Sequence, residues 1–118
     1  MTVVARIRSG GSNGAEPSLR KDGEFVVSSA GAGARSKSYR YSEVHDPGTT
    51  NAEVSEATVP RIAAALVAGN DAVLLAIGAT ASGKTHTLYG ADGLAPALCR
   101  ALLAGGPFEL SAVEVPIG

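Results

Sequence analysis

Gly78-Ala-Thr-Ala-Ser-Gly83-Lys84-Thr85 fits the pattern G-x-x-x-x-G-K-[ST], a spacing with a definite chemical use. The glycines at both ends let the backbone curl, so that the N–H groups of Ala79, Thr80, Ala81 and Ser82 can turn inward onto phosphate oxygens. A helix beginning at the motif's end adds its positive N-terminal dipole. Lys84 would set an ammonium near the β- and γ-phosphates, and Thr85 would offer a hydroxyl to a magnesium ion bridging them. The expected ligand is therefore a magnesium-bound triphosphate. The flanking residues agree with a strand–loop–helix unit: Ala72 to Ile77 is apolar and reads as a buried strand, and Thr85-His86-Thr87-Leu88 is compatible with a helix. The other glycine pair, Gly31-Ala-Gly33, lacks the third glycine and following helix of a nucleotide loop and reads as a hairpin tip.

A chain of 118 residues with 45% hydrophobic content can build one core, but nucleotide-hydrolysing α/β domains often reach about 200 residues. A partial domain is the expectation. The formal net charge of −1 gives no overall attraction to nucleic acid or to an anionic membrane. Cys99 is the single cysteine and has no internal disulfide partner, and residues 1–8 lack the apolar core of a signal peptide. With no apolar stretch approaching the ~20 residues that span a bilayer, a soluble protein in a reducing, intracellular setting is expected. Fifteen glycines, 4% aromatics and no tryptophan predict a core of small aliphatic side chains and modest stability.

Thr2 to Arg8 alternates β-branched residues with arginines and reads as a first strand. Residues 9–14 are a Gly/Ser/Asn loop, continued by the proline-containing stretch Ala15 to Leu19. Glu24 to Ser29 and Lys37 to Tyr41 read as the two strands of a hairpin. Asp46-Pro47-Gly48 is a turn, after which Thr50 and Glu53 have the spacing of a capping box for a helix starting near Asn51. Pro60 predicts two short helices meeting near Val59, the second carrying Ile62 and Leu66 on one face and ended by Gly69. Beyond the phosphate loop, Gly90, Gly93 and Pro96 interrupt the helix. Leu94, Leu98 and Leu102 then form a stripe with Cys99 as a small buried neighbour, and Phe108 to Val115 reads as a last strand.

The stretch from Tyr39 to Gly90 resembles the N-terminal half of a kinesin motor domain. The resemblance rests on Tyr39 with Tyr41, Asp46, Glu53-Val54, Thr58-Val59-Pro60, Gly69-Asn70-Asp71-Ala72, the run Val73 to Ile77, and the Ser-Gly-Lys-Thr-His-Thr core. Arg6-Ile7-Arg8-Ser9 corresponds to the family's R-x-R-P after its first strand, and the likeness extends to about Phe108. It implies an α/β fold of the P-loop NTPase type, a mainly parallel sheet flanked by helices, here incomplete. Residues 1–118 would be a partial motor domain, with a strand and hairpin region at 1–49 and helices, phosphate loop and a following strand at 50–118. It further implies ATP or ADP with magnesium as ligands, Gly78 to Thr85 around the phosphates, and Thr85 on the metal. His86 would stack on adenine, where the motif-free reading is a histidine packing on the sheet. Arg8 would lie on the other side of the base, against the alternative of an ordinary exposed strand arginine.

The resemblance also implies a microtubule partner, tubulin, met through the complete head, and a place on the cytoplasmic microtubule cytoskeleton. No nucleic-acid or membrane partner is expected. Ala79 and Ala81 depart from the family's G-Q-T-G-[SA]-G-K-T, and Ala81 puts a methyl group where the backbone calls for glycine's freedom. The stretch between Gly90 and Pro96 is shorter than the family's. The family's N-x-x-S-S-R-S-H and D-L-A-G-S-E segments, which sense the γ-phosphate and place the attacking water, do not occur in these residues. Asp92, Glu109 and Glu114 read as solvated side chains, so no catalytic residue is assigned. Arg35, Lys37 and Arg40 read as a solvated basic hairpin or a tubulin contact. Three functions stay open: the ATP-binding part of a microtubule motor; a degenerate kinesin-like module with a structural or microtubule-associated role; and a small P-loop kinase or GTPase, against which the absence of N-K-x-D counts.

Overall fold

Alternation of β-branched residues and arginines at the N-terminus produces a short parallel pairing: β1 (Val4–Arg6) lies beside β5 (Glu43–His45), with Ala5 opposite Val44. The computed structural model describes residues 1–8, 17–19, 24–28 and 36–116. The chain divides into two units, residues 1–50 with 78–83, and residues 51–77 with 84–118.

In the first unit the β1–β5 pair is extended at both ends by backbone bonds, Ser42 N–H to Val3 O and Ile7 N–H to His45 O, each 2.9 Å. Arg6 reaches beyond it, its Nη2 donating to the Thr49 carbonyl at 2.9 Å. Asp46-Pro47-Gly48 forms the expected turn. The Asp46 carboxylate accepts from Gly48 N–H at 3.0 Å and from the Thr49 hydroxyl at 3.1 Å, which gives the turn its local closure. His45 Nε2 lies 3.0 Å from Glu43 Oε1, the two side chains sharing a face of β5 without alignment as a hydrogen bond. A second sheet is an antiparallel meander of β2 (Pro17–Leu19), β3 (Glu24–Ser28) and β4 (Ser36–Arg40), with Phe25 opposite Tyr39. The hairpin expected from Glu24 to Tyr41 is therefore present, whereas its Gly31–Gly33 tip and the 9–14 loop lie outside the described residues. Pro17 to Leu19 is an edge strand rather than loop. Proline is tolerated there because the first residue of an edge strand can lack a donor.

The second unit is helical. α1 (Asn51–Val67) is one continuous helix of 17 residues, not two, with Pro60 inside it. An interior proline removes one hydrogen bond and crowds the carbonyl four residues back, at a cost of about 3 kcal/mol. The helix survives because both halves pack: Val54, Ser55, Thr58 and Val59 before the proline are buried, and Ile62, Ala63, Ala65 and Leu66 after it are half-buried. Gly69, at φ +79°, ends the helix. Its N–H reaches Leu66 O at 3.0 Å while Asn70 N–H reaches Ala65 O at 2.9 Å, the paired closure that a left-handed residue after a helix permits.

α2 (Lys84–Tyr89) and α3 (Leu94–Leu103) follow, and α3 packs on both α1 and α2. Pro96 falls in the first turn of α3, where a missing N–H costs little. Of the Leu94, Leu98, Leu102 stripe, Leu94 is buried with Val54 and Val59, Leu98 packs around them with Leu88 and Ala97, and Leu102 is half-buried. Cys99 is half-buried rather than buried.

Two expected strands do not form. Residues 72–77 and 108–115 carry no ladder hydrogen bonds, and Val73, Leu75 and Ile77 are 92%, 75% and 86% exposed. A doubly buried parallel strand exists only where neighbours pair with both of its edges and cover both faces. Among the described residues no strand lies beside either segment.

Candidate phosphate-binding site

The loop half of the motif, Gly78–Gly83, belongs to the first unit. Ser82 N–H donates to Ala79 O at 3.1 Å, closing a turn, and the left-handed region is occupied at alternate positions, Ala81 at φ 60° and Gly83 at φ 97°. Left-handed residues set between ordinary ones are what turn successive N–H groups toward a common centre, the concavity that receives an anion. Glycine enters that region freely, whereas alanine costs about 1–2 kcal/mol there because its methyl crowds the following carbonyl. The structure thus puts Ala81 where the sequence comparison placed the missing glycine. Arg8 joins the same loop: its Nη1 donates to the Ala81 carbonyl. The guanidinium remains exposed and within the first unit.

The helical half begins at Lys84, the first residue of α2, which is half-buried, while Thr85 and His86 are exposed. Among the described residues no group of three or more His, Cys, Asp or Glu is gathered for a metal ion. In a phosphate loop of this pattern the Ser/Thr hydroxyl is one protein ligand for phosphate-bound magnesium, and Thr85, exposed near the start of α2, is the residue here that could supply it.

α2 leads into a tight corner at residues 90–93. Gly90 N–H donates to His86 O and Gly93 N–H to Gly90 O, both at 2.9 Å. A Cβ on Gly90 would sit 2.4 Å from His86 O, so only glycine allows this approach of backbone to backbone. α1 grips the corner from the side. Asn51 Nδ2 donates to His86 O at 2.9 Å and to Ala91 O at 3.0 Å, and the Ser55 hydroxyl donates to Asp92 O at 2.7 Å. Asp92 takes φ 55° and pairs with Arg100 at 3.1 Å, an exposed ion pair of little energetic weight. In the sequence Asn51 reads only as a helix start, and Ser55 carries no mark of function. Their signal is a run of small polar residues, Asn51, Ser55 and Thr58, at helical spacing beside Val54 and Val59, which becomes informative once that face is known to be buried.

Parallel pairing with flanking motifs of this kind marks an incomplete α/β domain of the P-loop NTPase type, and the comparisons specify the family. The family model describing the kinesin motor domain matches residues 11–106. Kinesin-like protein KIN-7L, chloroplastic, from Arabidopsis thaliana is 34% identical over 77 residues, covering 65% of this chain and 8% of that protein. Kinesin-like protein KIN-14I from Oryza sativa subsp. japonica is 40% identical over 76 residues, covering 62% of this chain and 6% of its own. Among solved structures, the motor domain of the Kar3-like kinesin from Ashbya gossypii superposes with a TM-score of 0.71 at 22% identity, over 88% of this chain and 36% of that one. The motor and motor homology domain of Kar3Vik1 gives 0.72 at 22% identity, over 88% and 30%. The chain belongs to the kinesin motor domain family. It spans less than a tenth of the two plant proteins and about a third of the solved motor structures.

Proposed function

We propose that this chain is the nucleotide-binding part of a kinesin-type microtubule motor, taking ATP and ADP with magnesium on Gly78 to Thr85. The observation that carries this reading is the backbone of residues 79–83 in a chain of this family: a closed turn with left-handed residues at 81 and 83, leading straight into Lys84 and Thr85. In this reading the loop N–H groups and Lys84 hold the phosphates, Thr85 holds the metal, and His86 and Arg8 flank the base. Bound magnesium would supply charge neutralisation across the β- and γ-phosphates. These residues provide one side of the γ-phosphate only, so binding rather than hydrolysis is assigned to this stretch. Coupling of hydrolysis to movement on microtubules would belong to the complete head.

Calorimetric titration of Mg·ATP and Mg·ADP tests this, with Lys84→Ala as the control. Loss of a charge-assisted contact to phosphate should weaken binding about ten- to a hundredfold. Binding that survives the substitution unchanged would sink the assignment.

A second reading has its own observation. Alanine at a left-handed position favours a degenerate module that holds nucleotide weakly and serves a structural or microtubule-associated role. Under that reading wild-type affinity is weak and Ala81→Gly restores it, whereas tight wild-type binding excludes it.

A further inference from the structure

α2 is six residues long and buries none of them. A helix of that length does not hold itself together in water, so its existence and direction must be imposed from outside. Leu88 contributes an apolar contact to the Val54, Val59 and Leu94 cluster, but such contacts are non-directional. The directional constraint comes from Asn51. Its two hydrogen bonds end on carbonyl oxygens, His86 O in the middle of α2 and Ala91 O just past its end. Two acceptors of that kind can be served only by the amide nitrogen with its two hydrogens, which fixes the side chain's orientation. Asn51 is 8% exposed, so water is poorly placed to substitute for it. One turn further along the same face of α1, Ser55 holds Asp92 O in the same manner. The lack of a Cβ on Gly90 completes the fit, since one would come within 3.1 Å of Asn51 Nδ2.

We propose that Asn51, seconded by Ser55, is a positioning residue: it fixes α2, and with it Lys84, Thr85 and His86, against α1. Its functional consequence, though not its structural one, rests on the phosphate-loop reading above. Removing Asn51 takes the side-chain donor from both carbonyls, leaving His86 O with the Gly90 amide alone, and lets α2 turn or fray, which displaces the lysine and threonine from their working geometry.

The test combines amide hydrogen exchange without nucleotide and Mg·ADP titration, on wild type, Asn51→Ala, Asn51→Gln, Ser55→Ala and Lys84→Ala. In Asn51→Ala the Gly90 amide, which donates to His86 O, should exchange about tenfold faster or more, while amides of Val59 and Leu66 in α1 stay within about twofold. Mg·ADP should bind about tenfold more weakly. Asn51→Gln, which keeps the two donors on a longer stem, should recover part of both losses. A uniform rise in exchange across α1, α2 and α3, or no rise at all, would overturn the positioning role. So would unchanged ADP affinity in Asn51→Ala when Lys84→Ala has lost it. Should Asn51→Ala fail to fold, Ser55→Ala and Asn51→Gln carry the same comparison with milder losses. If wild type binds no nucleotide, the phosphate-loop reading falls, and the exchange of Gly90 alone decides whether Asn51 holds α2.

Discussion

Ala81 is the residue at which sequence and geometry meet most closely. The sequence offers alanine where the kinesin pattern has glycine, and the backbone there takes φ 60°. The left-handed shape costs alanine more than glycine, so an empty loop with alanine leaves that shape more often: Ala81→Gly is expected to tighten Mg·ADP binding severalfold, up to the tenfold that about 1.4 kcal/mol represents, by keeping the binding shape populated. Titration of the two forms side by side checks this, and weaker binding in the glycine form would mean that the methyl group is used. Arg8 is a companion case. From the sequence it is compatible with a base contact or with an ordinary surface arginine, and the structure sets its guanidinium on the Ala81 carbonyl. Arg8→Ala should therefore loosen the loop before any base contact is considered, visible as faster exchange of the Ser82 amide. Asn51 shows what residue-level reading passes over. Its type and spacing are as compatible with a helix start as with a two-carbonyl bridge until the face is known to be buried, because the acceptors lie 35 and 40 residues away in sequence.

Elements governed by local chemistry were legible; those governed by distant partners were not. The Gly69 closure of α1, the Asp46-Pro47-Gly48 turn and the Leu94, Leu98, Leu102 stripe each follow from residues within one or two turns. The Pro60 break did not follow, because a cost of about 3 kcal/mol can be offset by burial on both sides of the proline. Since Pro60 is exposed and its absence would restore a helix donor, Pro60→Ala should stabilise α1 by about 2 kcal/mol, the helix gain less the unfolded-state entropy that proline removes. Urea unfolding followed by far-UV dichroism measures this, and a lower midpoint would show that the ring itself packs. Residues 72–77 illustrate the opposite limit. Their composition is that of a central strand, but strand identity resides in the ladder, and no described strand pairs with them. The parallel β1–β5 pair escaped detection for the same reason, since Glu43 to His45 carries little strand propensity and owes its state to β1.

Across the molecule the apolar content is high, but among the described residues little of it is buried. Val54, Val59 and Leu94 are the buried hydrophobics among the described residues, while Val73, Leu75, Ile77, Leu110, Val113 and Val115 are largely exposed. Exposure on that scale exceeds what scattered surface residues account for and predicts marginal stability with affinity for apolar dyes. The 118-residue chain should bind 1-anilinonaphthalene-8-sulfonate in native buffer, and Val73→Thr with Ile77→Thr should lower the fluorescence. An unaltered signal would place the apolar surface elsewhere. Loss of Val54, by contrast, should cost about 2 kcal/mol and melt the packing of α1 on α3, since so few residues share the core. The family assignment rests on the match to residues 11–106, and the nucleotide assignment on eight consecutive residues within it. That second claim is tested most directly by mapping backbone amide chemical shifts on addition of Mg·ADP, for wild type and Lys84→Ala. The account predicts saturable shifts concentrated on Gly78 to Thr85 in wild type and their loss in the variant; shifts confined to other residues, or shifts that persist without the lysine, would contradict it.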